Sequence, residues 1–186
     1  MAKLKIKRKS SLIVDLILLI SIYVFLFNYF KPSLIFSNTL TNGGDTGSHL
    51  YPFFYMRDYL VPHLKLVGWS QGWYAGLPMF QFYFPFVYLL ASIISYIIPA
   101  TISFKIATIL GTFLLPITTY FAMRILRFEF PIPVVSALLT LVMLFNEGNS
   151  MWGINIPSTL AGEFCESFSF SLMVLFLALL YKGIKE

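Results

Sequence analysis

The feature that most constrains this chain is an apolar run at 11–30 that follows directly on a basic N-terminus. A helix of about 20 apolar residues spans the hydrocarbon core of a bilayer. A secretory signal has a shorter apolar core of roughly 7–15 residues and a small-residue cleavage site, which this run lacks. We therefore predict a retained anchor with a cytoplasmic N-terminus, because Lys and Arg gather on that side. Asp15 lies one turn into the run and is expected to pair with Lys7, Arg8 or Lys9.

Further apolar runs extend this prediction to the whole chain. Residues are 58% hydrophobic and 11% charged, against about 25% charged in a soluble domain. The sequence predicts an all-α, polytopic transmembrane helical protein of the cell membrane, forming a single membrane domain over 1–186 that has the bilayer as a partner. The predicted spans are 11–30, 104–127, 131–146 and 168–182. Residues 31–81 are expected to form a long extracytoplasmic loop with short interfacial helices, one near 46–61.

The apolar segment 82–98 leaves two topologies open, because it is at the lower length limit for a span. It can dip into or lie on the outer surface of the membrane, or it can cross as a fifth span. The positive-inside rule favours the first, since four basic residues then all fall in the cytoplasm: Arg124, Arg127, Lys182 and Lys185. That topology also places 146–166 on the same outer side as Asp45.

The distribution of charged and sulfur-containing residues excludes other classes of protein. Basic residues flank apolar runs and do not form a basic, aromatic face, so no nucleic-acid partner is expected. Cys165 is the single cysteine, which excludes a disulfide or a cysteine-based metal site within this chain. Because the sequence stops soon after the last apolar run, we expect the N-terminal portion of a larger membrane protein.

The loop from Gly43 to His49 is the first candidate site. Its glycines permit tight turns and close approach to a ligand. If a helix begins here, Asp45 and His49 lie on one face, four residues apart. A carboxylate can ligate a cation or take a proton, but Asp45 can equally be a helix N-cap.

Glu163 and Glu166 form the second candidate site, three residues apart at the head of the last helix. They can hold a divalent cation such as Mg²⁺ or Mn²⁺ together with Asp45, or they can simply complement the positive end of the helix dipole. On one side of the membrane, the two loops suit a lipid-linked, negatively charged donor, with a cation on its phosphate and a carboxylate that activates an acceptor hydroxyl.

Aromatic residues interleaved with glycine mark a third segment, 68–78. Trp69, Trp73 and Tyr74 can stack on a sugar, or they can anchor the chain at the membrane surface.

Four motifs give the chain a resemblance to a known family: Asp-Thr-Gly-Ser-His at 45–49, Arg-Asp-Tyr-Leu at 57–60, Trp-Tyr-Ala-Gly-Leu-Pro at 73–78 and Phe-Tyr-Phe-Pro at 82–85. They resemble the prokaryotic membrane proteins described as 6-pyruvoyl-tetrahydropterin synthase-related, which are similar to the GT-C superfamily of membrane glycosyltransferases. Residues 158–166 resemble the second acidic motif of those enzymes, with Glu163 and Glu166 in place of the usual Asp-x-Asp pair.

The resemblance implies a glycosyltransferase, or its N-terminal part, that uses a polyprenyl-phosphate-linked sugar at the extracytoplasmic face. Asp45 is then the first-loop catalytic acid with His49 beside it. Substrate binding is expected at Arg57, Trp69, Trp73 and Tyr74. The alternatives are a non-catalytic subunit or scaffold of a larger membrane complex and, less favoured, a small transporter.

Overall fold

The chain is mostly helical. The computed structural model describes residues 2–148 and 150–186, with side chains from residue 11 onward. The elements in chain order are α1 (Ala2–Tyr29), α2 (Pro32–Ile35), α3 (Thr46–Tyr55), β1 (Gly68–Ser70), β2 (Leu77–Met79), α4 (Phe86–Ile94), α5 (Ala100–Ile125), α6 (Ile132–Leu144), α7 (Ile156–Ser158) and α8 (Phe164–Lys185). Two π-helical turns extend this pattern, Met56–Leu60 after α3 and Thr159–Glu163 between α7 and α8, and a 3-10 turn follows at Val61–His63.

Three helical segments in the described part of the chain are long and apolar enough to cross a membrane: Ser11–Tyr29, Ala100–Ile125 and Ile156–Lys185. This confirms the predicted class, a helical membrane protein. Helix α6, where a span was predicted at 131–146, has 13 residues. Helix α4 has nine residues. Both helices are shorter than the roughly 17–25 residues that a helix needs to cross a bilayer upright.

Helices α1 and α5 run antiparallel, as hydrogen bonds at both ends show. Near the start of α1, the Tyr120 hydroxyl donates to Asp15 Oδ2 at 3.0 Å. At the opposite end, Lys105 Nζ donates to the carbonyl of Leu34 at 2.6 Å. The chain between these helices therefore leaves and re-enters the bundle at one end. Asp15 was expected to pair with Lys7, Arg8 or Lys9, and the side chains of these three residues lie outside the part of the chain that the structure describes.

The two ends of the bundle differ in character. At one end, Arg127 Nη2 lies 2.8 Å from Glu186 Oε1 and Lys182 Nζ lies 3.8 Å from Glu186 Oε2. We call this the basic end. The other, the loop end, carries residues 31–99 and 145–163. The pair Arg124 and Arg127, near the end of α5, thus lies at the same end of the bundle as Lys182 and Lys185 of α8. The loops with the candidate sites lie at the opposite end.

Two buried clusters hold the fold together. At the loop end, aromatic and aliphatic residues of α3, α4, α5 and α8 pack around Phe53, Tyr88, Phe104 and Phe164. The second cluster joins α1, α5, α6 and α7. Helix α5 belongs to both clusters and half of its most apolar stretch is buried, whereas the corresponding stretch of α1 is 17% buried. Helix α5 is therefore the central helix, and α1 presents most of its surface to lipid.

Gly111 permits the closest approach of α5 to α8. A Cβ atom added at Gly111 would lie 2.4 Å from the carbonyl carbon of Ser167 and 2.5 Å from the amide nitrogen of Phe168. Small residues allow such close helix contact in membranes, where packing replaces the hydrophobic effect as the driving force. The absence of a side chain at 111 therefore sets the distance between the two helices.

We expect Gly111→Ala to lower the unfolding temperature, because the added methyl group collides with the α8 backbone. Overpacking of this kind costs about 1–3 kcal/mol. The matched change Gly183→Ala should be neutral or stabilising, since nothing lies within 4 Å of its Cβ position and Ala favours helix. A thiol-reactive fluorophore reports unfolding through buried Cys165, the single cysteine. An unfolding temperature for Gly111→Ala at or above that of Gly183→Ala would contradict this account.

Candidate functional site

Two loops that are far apart in sequence are bonded together at the loop end. The amide of Asp45 donates to the carbonyl of Ala161 at 2.6 Å, and the Thr46 hydroxyl donates to the carbonyl of Leu160 at 2.8 Å. Gly44 makes this approach possible, because a Cβ atom there would lie 2.3 Å from the Ala161 oxygen. The first and second candidate sites are thereby held side by side.

Asp45 occupies the N-cap position of α3, but its side chain makes no capping hydrogen bond. Its backbone carbonyl instead accepts from the Ser48 hydroxyl at 2.7 Å and from the Ser48 amide at 3.0 Å. The residue is exposed. The carboxylate is therefore not used for capping and can meet a ligand from solution.

His49 lies on the same helix face as Asp45, four residues on. Its Nδ1 is 2.6 Å from the Tyr88 hydroxyl, and its ring meets the ring of Phe164 edge-on, with centroids 5.0 Å apart. These contacts fix the orientation of the imidazole. They leave Nε2 facing the second loop, where a Cβ atom at Gly162 would lie 3.2 Å from Nε2 and 3.0 Å from the Asp45 Cβ.

Gly162 keeps the space between these two side chains open. Its φ of +131° lies in a region that residues with a Cβ rarely adopt. The unusual backbone interrupts the helical path at the π-helical turn just before α8. A larger residue at 162 would both strain this turn and fill the gap between Asp45 and His49.

The electrostatic environment acts on His49 in two directions. Burial lowers the pKa of His49 by disfavouring the imidazolium, while the negative charges of Asp45 and Glu163 oppose that shift. Burial raises the pKa of Tyr83 to about 12 and raises the pKa of Tyr88 well above its usual range. Both phenols therefore stay protonated at neutral pH, and the Tyr88 hydroxyl remains a neutral hydrogen-bonding partner of the imidazole.

The two glutamates have different surroundings. Glu163 is half-buried and its charge acts on His49. The exposed Glu166 side chain lies over Gly153, where an added Cβ atom would be 2.1 Å from the Glu166 Cδ. Across 2–148 and 150–186, no three His, Cys, Asp or Glu side chains gather as possible metal ligands. The charges of Asp45 and Glu163 thus both act on His49, whereas the Glu166 side chain is directed to the neighbouring loop.

The aromatic segment forms an antiparallel hairpin of β1 and β2, with Trp69 opposite Pro78. The Tyr55 hydroxyl donates to the carbonyl of Trp69 at 2.8 Å, and the Tyr51 hydroxyl is hydrogen-bonded to that of Ser70, so the hairpin is held against α3. Exposed aromatic side chains on it are Trp69, Trp73 and Tyr74. The hairpin flanks the site, and its exposed rings fit both a sugar surface and a membrane anchor.

Arg57 lies apart from the site. It is 12 residues beyond Asp45, which corresponds to about 18 Å along a helix. Its guanidinium lies 3.6 Å from the Asp58 carboxylate and over the ring of Phe54. The structure therefore does not bring Arg57 to Asp45 and His49.

Comparison with known proteins adds one finding. The family model described as 6-pyruvoyl-tetrahydropterin synthase related domain, a membrane protein, matches residues 80–186, which is more than half of the chain. The chain belongs to this family. A search of the curated proteins and a search of the solved structures each find no match. The family-model match confirms the resemblance to the 6-pyruvoyl-tetrahydropterin synthase-related proteins. The similarity to GT-C enzymes stays a prediction.

The part of the chain matched by the family model contributes residues that sequence reasoning did not assign to the site. Tyr88 is hydrogen-bonded to His49, and Gly162 leaves open the space beside its ring, yet Tyr88 lies in an apolar run and Gly162 in a short turn. Tyr83, whose ring stacks on His49 with centroids 6.0 Å apart, belongs to the Phe-Tyr-Phe-Pro motif at 82–85. That motif was the one available signal, since contacts across the fold cannot be read from local spacing.

We expect Asp45→Asn to lower the pKa of His49, because the anionic carboxylate stabilises the imidazolium and its removal leaves the effect of burial less opposed. The measurement is an NMR titration of ¹³C-labelled histidine in detergent. A His63→Gln background removes the second of the two histidines.

Asp58→Asn is the matched control, because Asp58 lies beside Arg57 and away from His49. Its titration curve should coincide with that of the parent protein. Equal curves for Asp45→Asn and Asp58→Asn would show that Asp45 does not act on His49.

Proposed function

We propose that this chain is a membrane glycosyltransferase, or the N-terminal portion of one, that transfers a sugar from a polyprenyl-phosphate-linked donor at the extracytoplasmic face. The observation that carries the proposal is the state of Asp45. Its carboxylate is exposed and free of capping, it stands beside His49 and Glu163, and a hydrogen bond from its own amide to Ala161 fixes it in place.

The orientation in the membrane follows from the basic end. By the positive-inside rule, Arg124, Arg127, Lys182 and Lys185 face the cytoplasm together with the basic N-terminus. The loop end, with Asp45, then lies outside the cell membrane. Polyprenyl-linked sugars carry their headgroup at such a surface and their chain in the bilayer, which suits a site next to lipid-facing helices.

The chemistry requires a base beside the acceptor hydroxyl. In the proposed reaction the acceptor oxygen attacks the anomeric carbon of the sugar and gives its proton to the Asp45 carboxylate. The bond between the anomeric carbon and the phosphate oxygen breaks, and the polyprenyl phosphate leaves with the electron pair. His49, oriented by Tyr88, is placed to hydrogen-bond a substrate oxygen through Nε2.

A divalent cation enters the proposal only through Asp45 and Glu163. Mg²⁺ often takes one or two carboxylates from the protein and completes its shell with water and substrate phosphate. Such a cation would neutralise the donor phosphate. Every other step uses side chains of this chain. Glu166 is not included among the cation ligands, because its side chain is directed toward Gly153.

The hairpin supplies a surface for the sugar. Its exposed rings lie beside α3, and Trp69 packs over Gly76, where a Cβ atom would be 2.4 Å from the indole Nε1. Aromatic faces stack on the apolar faces of sugars while their polar edges stay available for hydrogen bonds. We include Trp69, Trp73 and Tyr74 in the proposed substrate surface and leave out Arg57, which lies in the π-helical turn beyond α3.

We expect Asp45→Asn to reduce sugar transfer by about 100-fold or more, the usual contribution of a general base. The assay uses membranes containing the protein and a panel of polyprenyl-phosphate donors with radiolabelled sugars. Glu163→Gln should reduce transfer less, since Glu163 acts on the site through its charge. Asp58→Asn should transfer at the parent rate.

Wild-type transfer by Asp45→Asn, with normal expression and thermal stability, would refute the assignment of Asp45. The scaffold alternative predicts a different pattern. On that alternative, the parent protein should use no donor of the panel. The parent and Asp45→Asn should both co-purify with the same large membrane partner.

A further inference from the structure

A cavity of about 360 Å³ lies at the loop end between α1, α2 and α5. Its walls are mainly apolar and include Tyr29, Phe30, Ile35 and Ile109. Two cationic side chains also line it, Lys31 and Lys105, and no acidic side chain does. The π-helical turn before α8 separates it from the Asp45 site, because Leu160 lines the cavity whereas Gly162 faces Asp45 and His49.

Lys105 is the unusual member of this cavity. It is 8% exposed, and its Nζ donates to the carbonyls of Leu34 and Ser37 at 2.6 Å each, to the Ser37 hydroxyl at 3.1 Å and to the Thr39 hydroxyl at 3.5 Å. These acceptors are neutral. Among the described side chains no carboxylate forms an ion pair with Lys105. The ammonium is hydrogen-bonded, but its charge is not balanced, and a buried charge is costly without a counter-ion.

The exposed Lys31 lies at the rim of the cavity. Together with Lys105 it gives the cavity two positive charges beside apolar walls.

This combination matches an amphiphilic anion, with a phosphate for the lysines and a hydrocarbon chain for the apolar walls. The bilayer supplies such molecules directly, because α1 reaches the cavity through Tyr29 and exposes large apolar side chains along its length, such as Val24, Phe25 and Phe27. The volume suits a phosphate and glycerol group, and acyl chains would continue along the lipid-facing surfaces of α1 and α5.

We propose that the Lys31–Lys105 cavity binds the headgroup of an anionic glycerophospholipid from the surrounding membrane. The phosphate is held by the ammonium of Lys31 and by the unbalanced positive charge of Lys105, and the lipid fastens α1 and α2 to α5. The inference does not depend on the proposed transferase activity, since it uses none of the residues of the Asp45 site.

The test is native mass spectrometry of the full chain in non-ionic detergent, titrated with phosphatidylglycerol, phosphatidylcholine, polyprenyl phosphate and inorganic phosphate. Phosphatidylglycerol should bind most tightly, because it combines net negative charge with acyl chains. Lys31→Met should weaken its binding on the order of tenfold, the loss expected for one charge-assisted contact. Lys65→Met, which changes an exposed lysine elsewhere at the loop end, should bind like the parent protein.

Further variants distinguish a binding site from a merely structural lysine. Lys105→Met removes the central cation, but it also breaks hydrogen bonds that hold residues 34–37. Ile109→Trp instead fills the cavity and keeps every charge, so it should abolish phosphatidylglycerol binding while leaving the unfolding temperature near that of the parent. Asp45→Asn should bind the lipid normally whatever its effect on transfer.

Three results would overturn the proposal. Lys31→Met and Ile109→Trp could both bind phosphatidylglycerol as the parent does. Inorganic phosphate could bind as tightly as the lipid, which would indicate a site for a free anion. Polyprenyl phosphate could bind where phosphatidylglycerol does not, which would assign the cavity to a lipid-linked substrate.

Discussion

The close contact between α5 and α8 at Gly111 is the constraint on which the rest of the structure depends. A glycine there lets α5 lie directly against the backbone at Ser167, so the position of the first turns of α8 is fixed. The π-helical turn that precedes α8 is fixed with it, and this turn carries Gly162 and Glu163. Through the bond between the Asp45 amide and the Ala161 carbonyl, the same packing positions the loop of the other candidate site.

Much of this arrangement could be predicted from sequence, and the reason is physical. Lipid requires long apolar helices with charges near their ends, so the membrane class could be inferred from the apolar runs and the helix near 46–61 from local signals. The spacing of Asp45 and His49 placed them on one face, because a helix does begin at Thr46. Tyr88, Gly162 and Lys105 could not be assigned, since their roles arise from contacts between residues far apart in sequence. Tyr88 is 39 residues from His49 and Lys105 is 71 residues from Leu34.

The capping alternative for Asp45 illustrates the limit of local rules. An aspartate before the first turn of a helix usually accepts a hydrogen bond from that turn. Here its own amide is bonded to Ala161 and its carbonyl accepts from Ser48. With φ −85° and ψ 0°, the backbone of Asp45 is not in the extended conformation typical of a capping residue, and its carboxylate makes no bond to the first turn. A local preference is thus overridden by a tertiary hydrogen bond, and an acidic side chain is left exposed beside a half-buried histidine.

Hydrogen bonds also explain how α1 keeps its place although so little of it is buried. In lipid, apolar contact between helices gains little over contact with hydrocarbon, so small residues and polar groups determine the helix register. Along α1, the Asp15 carboxylate accepts from Tyr120 and the Tyr23 hydroxyl donates to the Phe113 carbonyl at 2.9 Å. Beyond its end, Lys105 holds the Leu34 and Ser37 carbonyls. These polar contacts, spread over the length of α5, fix α1 against sliding and rotation, and they keep residues 31–99 at the loop end where the candidate site lies.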